Sequence, residues 1–139
     1  MSERIELDIT LPKETRYLGL VGQIGESMAR TLERFTGDRE ELAYHINLVL
    51  TEAMANAIKH AREPESTEVR ITITLNRQKL TIKVYDRGQG FDLCNLAPPD
   101  TACLQDHGRG IFIIRTIMDR VAYRKLKGGH VLEMEKTLH

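Results

Sequence analysis

The sequence predicts an α/β two-layer sandwich, in which helices cover one face of a mixed, mostly antiparallel sheet. Three observations predict it. Apolar–polar alternation occurs near the start of the chain and on both sides of "NRQK" in its middle. Apolar residues at helical spacing fill the segments between. Taken in order, these segments read strand–helix–helix–strand–strand–helix–strand–strand. A chain of 139 residues with 41% hydrophobic content fits one domain, taken as 1–139, built on one core.

The first strand is "RIELDITL", where Ile5, Leu7, Ile9 and Leu11 alternate with polar neighbours until Pro12 ends the run. Residues 14–35 then place Leu18, Val21, Ile24, Met28, Leu32 and Phe35 on one helical face. Gly37 breaks that helix. Asp38 and Glu41 form a capping box for a second helix over 39–61, which buries Leu42, Ile46, Val49, Leu50, Ala53, Ala57 and Ile58. After the loop "REPEST", the stretch "VRITITLNRQKLTIKVYD" alternates on both sides of "NRQK" and reads as a hairpin. Residues 93–107 hold two prolines and no period, which predicts a long loop. A third helix opens after Gly110 through "IFIIRTIMDRV", and "VAYRKL" pairs with "HVLEMEK" in a closing hairpin.

Lys plus Arg and Asp plus Glu number 20 each, so the net charge is zero. That removes the electrostatic footprint of a nucleic-acid or anionic-membrane binder. "MSERIELDIT" has no apolar stretch of signal-peptide length, and no run approaches a membrane span. Cys94 and Cys103 lack metal-type spacing, so two reduced thiols in a cytoplasmic protein are expected.

Three places carry chemistry. Asp86 continues the parity of Leu80, Ile82 and Val84, so its carboxylate points where core residues point and needs a donor there. A backbone amide would serve, and so would a ligand such as a nucleobase amino group, which Gly88 and Gly90 would let approach closely. On the second helix, Glu52 and Asn56 are four apart and share a face away from the apolar stripe. That face is either solvated or a hard-cation site, since an amide oxygen suits Mg²⁺ and a neighbouring carboxylate can act as base. In "HGRGIFII", Gly108 and Gly110 precede a helix whose free amides suit phosphate, or they merely form its opening turn. The lysine and hydroxyl of a P-loop are absent, and "GQGFDL" lacks the third glycine of a dinucleotide fingerprint.

In combination, E-x-x-x-N on a helix, D-x-G-x-G after a strand and G-x-G at a helix resemble the N, G1 and G2 boxes of the GHKL (Bergerat-fold) ATP-binding superfamily. Gyrase, Hsp90, histidine kinases and MutL belong to it. Within it, "TEAMANAIKHA", "VYDRGQGFD" and "GRGIFIIRTIMDRV" resemble the bacterial anti-sigma factor serine-protein kinases, the RsbW-like group. Met118 and Asp119 are part of that likeness.

The resemblance implies ATP and Mg²⁺ as cofactors and gives each site residue a role. Asp86 would accept from the adenine amino group beside Gly88 and Gly90, and Asn56 would hold Mg²⁺. Gly108, Arg109 and Gly110 would support the phosphates beneath a lid formed by residues 93–107. Glu52 would be general base toward a serine on a partner. It further implies a homodimer that binds a sigma factor and phosphorylates an anti-anti-sigma protein of the STAS fold. Asp106 and His107 stand where members often carry an arginine, and Arg109 is a nearby cation. The rival function is a regulatory module that sequesters a partner, with or without ATP, and performs no catalysis.

Overall fold

A strand with alternating side chains has two faces, and helices can bury only one of them in a two-layer fold. The computed structural model describes residues 4–32, 37–59, 68–76, 78–86, 108–126 and 129–138. Strands β1 (Arg4–Pro12), β2 (Glu68–Asn76), β3 (Lys79–Asp86), β4 (Arg120–Leu126) and β5 (Gly129–Thr137) form one sheet in the order β1-β2-β3-β5-β4. Helices α1 (Leu18–Thr31), α2 (Arg39–Lys59) and α3 (Gly108–Ile117) share one core with it. The expected sandwich is what the chain forms. Its four described ladders are all antiparallel, so the parallel component allowed for in a mixed sheet does not enter them.

Register lines up the core. Ile9 pairs with Ile71, Ile71 with Val84 and Val84 with Leu132, so one row of branched residues crosses four strands. The opposite face carries charge. Arg70 reaches Asp8 at 2.7 Å, Lys83 and Arg124 flank Glu133, and Lys79 and Arg120 flank Glu135. Such exposed pairs add little stability each. They do keep this face wet, which is why the layers stop at two.

The helices differ from their sequence-based bounds in instructive ways. In place of one helix over 14–35, the chain makes a single 3₁₀ turn (Thr15–Tyr17) and then α1, which ends at Thr31. Leu32 turns extended (φ −65°, ψ 119°) and is wholly buried, so core burial, not helical period, decides where α1 stops. Asp38 caps α2 as expected, accepting from the backbone N–H groups of Glu40 (3.0 Å) and Glu41 (3.2 Å). The third helix starts at Gly108 and not after Gly110, which puts both glycines inside its first turn. Past its end, Met118 is buried and the Asp119 carboxylate accepts from the Thr137 N–H at 2.6 Å, tying the turn into β4 to the end of β5.

α2 lies between the other two helices, and α1 approaches it closely. A Cβ on Gly25 would collide with Leu50 and would stand 2.5 Å from Ile46 Cγ2, whereas Gly19 faces open space. Overpacking costs about 1–3 kcal/mol, and alanine's better helix propensity offsets about 1 kcal/mol of that. Gly25→Ala therefore lowers stability by up to about 2 kcal/mol, while Gly19→Ala leaves it unchanged or raises it. Urea midpoints at constant m-value check both, and a Gly25→Ala protein as stable as Gly19→Ala would refute the close α1–α2 contact.

Candidate functional site

The site begins on α2. Its stripe of Ile46, Leu50, Ala53 and Ala57 is spent on the core, which leaves Glu52 and Asn56 on a flank that faces neither sheet nor α1. A solvated flank was one of the two readings open for this pair. The structure overturns it, because the first turn of α3 lies on that flank. A Cβ built on Gly110 would stand 2.9 Å from Glu52 Oε2 and 3.5 Å from Asn56 Nδ2. Two side chains of α2 thus lie against backbone more than fifty positions further along, at a residue that has no side chain.

Asn56 is buried at 6% exposure, and its Nδ2 has no hydrogen-bond partner among the described residues. Leaving such a group unsatisfied costs about 1–3 kcal/mol. An amide in that state suits a ligand that supplies an acceptor for its nitrogen or a cation for its oxygen.

Among the described residues, Asp86 is the other polar residue buried as a whole, at 8%. The inward parity of β3 placed it correctly. Its carboxylate meets the ammonium of Lys13: Nζ donates to Oδ1, and the two side chains are only 4% and 9% exposed. Sequence reasoning missed Lys13. The signal was present, since Lys13 continues the inward phase of Ile5, Leu7, Ile9 and Leu11 one step beyond Pro12, just as Asp86 does on β3.

The backbone of Gly108, Arg109 and Gly110 forms the opening turn of α3, whose first amides have no partner within the helix. Gly88, Gly90 and the loop 93–107, with Asp106 and His107, lie outside the described residues. Among the described residues no group of three or more His, Cys, Asp and Glu side chains could hold a metal. A hard cation here would depend on few protein ligands, with phosphate oxygens and water completing its shell. Chemically, these residues offer an acidic acceptor, a buried amide, a carboxylate and a helix N-terminus for an anion.

Comparison with known proteins places the chain among relatives. The family model described as "Histidine kinase-like ATPase domain" matches residues 12–136. A protein named serine-protein kinase RsbW from Halalkalibacterium halodurans is 29% identical over 140 residues, covering 95% of this chain and 83% of the relative. Its namesake from Bacillus thuringiensis is 27% identical over 141 residues, covering 95% and 86%. Among solved structures, the histidine kinase domain of the blue-light activated histidine kinase from Erythrobacter litoralis EL346 superposes with a TM-score of 0.52. At 16% identity, over 92% of this chain and 62% of that one, this likeness speaks for the fold alone.

Gly110 gives the site a direct test. An alanine there meets only the far end of the Glu52 side chain at under 3 Å, so the fold can yield cheaply while the carboxylate cannot keep its place. Gly110→Ala should melt within about 3 °C of the wild type and yet bind ATP at least about tenfold more weakly. Thermal melting and calorimetric titration check the two halves, and unchanged ATP affinity would contradict the close approach.

Proposed function

The chain belongs to the histidine kinase-like ATPase domain family, and on that footing we propose that it is an ATP-dependent protein-serine kinase and anti-sigma factor. It binds a sigma factor, and it phosphorylates a serine on an anti-anti-sigma protein of the STAS fold. The observation that carries this reading is the contact of Glu52 and Asn56 with the first turn of α3, which assembles a carboxylate, an amide and an anion site. The relatives named as serine-protein kinases, matched along 95% of this chain, favour serine as the acceptor.

Each residue then has one task. Asp86 accepts from the adenine amino group, with Gly88 and Gly90 beside it. Asn56 fits Mg²⁺ through its oxygen, and its unsatisfied nitrogen is free to donate to a phosphate oxygen. Bound there, the cation neutralises charge on the phosphates. Gly108, Arg109 and Gly110 present the α3 amides to the phosphate chain. Glu52 takes the proton of the serine hydroxyl as its oxygen attacks the terminal phosphorus and the bond to ADP breaks. Positioning and charge neutralisation dominate such transfers, which fits a site made of short, fixed groups.

Residues 1–139 are read as one kinase domain, supported by a single sheet and a single core. Two features support a homodimer. β1 is an edge strand, and a trough of about 450 Å³ between it and α1 is lined by Ile5, Leu7, Leu20, Ile24 and Met28. No described helix is long and apolar enough to cross a membrane, and the reading puts the protein in the cytoplasm with its sigma factor.

Glu52→Gln tests the assignment. It should bind ATP within about threefold of the wild type and transfer phosphate to the partner serine at least about a hundredfold more slowly. An unchanged rate removes Glu52 from the role of base. Asn56→Ala should lose the Mg²⁺ dependence of nucleotide binding, and retained dependence would remove Asn56 as the metal ligand.

A further inference from the structure

A lysine whose side chain is 4% exposed, paired with a carboxylate that is 9% exposed, needs an explanation. Burying two charges costs several kcal/mol per ion before their attraction is counted. Apolar residues of the same volume often stabilise a fold as well or better. Bracing alone therefore accounts poorly for this pair. Its position is more telling, because the acid is Asp86, at the inner end of β3.

The sheet delivers Lys13 to that place. Leu11 pairs with Val69 on β2, and Arg70 with Tyr85 on β3, which sets Asp86 alongside the buried Val69. Lys13 lies two residues past Leu11 on the same phase, and its aliphatic stem spans β2 to reach a strand that β1 does not touch. Other ionisable groups occur on the neighbouring elements. His130 of β5 is its cross-strand partner with Tyr123 stacked on it, Lys125 of β4 pairs with His130, and α2 carries Glu52 and Lys59 in its second half. Lys13 donates to the carboxylate directly.

We propose that Lys13 is a positioning residue for the nucleobase: its ammonium fixes one oxygen of Asp86, so that the carboxylate is aligned to accept from a base edge carrying an amino donor. This rests on the reading of Asp86 as the acceptor for adenine. An ionised carboxylate only accepts hydrogen bonds, and its two oxygens offer about four lone-pair sites. It can therefore serve Lys13 and an amino group together. Without the ammonium on Oδ1 the carboxylate loses that anchor, and with it the alignment on which discrimination depends. An aligned carboxylate accepts from the 6-amino group of adenine and repels the 6-oxo group of hypoxanthine. Lys13 thereby sets specificity without needing to touch the base.

The experiment compares calorimetric affinities for ATP and inosine triphosphate, which share the sugar and phosphates and differ at that edge. The wild type should prefer ATP at least about tenfold. Lys13→Met should bring the ratio to within about threefold of unity, and Lys13→Arg, which keeps the charge, should restore it. A merely structural lysine would weaken both nucleotides alike and leave their ratio unmoved, which overturns the proposal. Tighter ATP binding by Lys13→Met overturns it too, because Lys13 would then occupy the place of the amino group. Should Lys13→Met fail to fold, Lys13→Arg decides: a wild-type ratio supports the role of charge, and a collapsed ratio overturns it. Asp86→Asn separates this inference from the reading beneath it. An unchanged ratio in Asp86→Asn sinks Asp86 as the base acceptor, whereas a collapsed ratio there beside an unchanged one in Lys13→Met sinks Lys13 alone.

Discussion

The side chain that Gly110 lacks is the constraint on which the site depends. Where its Cβ would stand, the Glu52 carboxylate lies within 2.9 Å, with the Asn56 amide just beyond. α3 can settle on α2 only because that volume is free. Once it settles, its unpaired first amides face the same space as a carboxylate and a buried amide. The rest of the fold serves this contact. The row of branched residues across four strands gives α2 a floor, and the buried Ile111, Ile114 and Met118 anchor α3 at a fixed depth.

The same economy governs charge. Ionic groups are spread over the open face of the sheet, where Glu133 and Glu135 are each flanked by two cations. Inside, the described residues hold very little polarity: Asn56 on α2, Asp86 at the end of β3, and the Lys13 side chain just past β1. A protein interior tolerates such groups only when they are paired or await a partner. Asp86 is paired and Asn56 Nδ2 is not. That asymmetry suits a site whose base end is preorganised and whose phosphate end is completed by the ligand.

Much of this was legible in the sequence, for physical reasons that can be named. Alternation specified β1, β2 and β3 because each has one wetter and one drier face, and parity alone sent Asp86 inward. The Asp38 cap was readable because its carboxylate acts on backbone groups two and three residues away. What failed to show was tertiary. Periodicity over 14–35 could not reveal that Leu32 would leave the helix to fill the core. No local pattern says that α3 will cover the flank bearing Glu52 and Asn56, so a solvated face stayed open as a reading. The start of α3 was set three residues late because glycines read as a turn, whereas here the bareness of Gly110 lets the first turn lie against α2. Lys13 lay in plain sight on the apolar phase of β1. Its meaning depends on β2 bringing β1 and β3 to either side of it, and that is register, not pattern.

The central claim is that these groups form one nucleotide site that a cation completes. Calorimetric titration of the purified protein with ATP, with and without Mg²⁺, tests it most directly. Saturable binding near one nucleotide per chain, tightened at least about tenfold by the metal, is the predicted result. No binding at millimolar ATP, or an affinity indifferent to Mg²⁺, would contradict it.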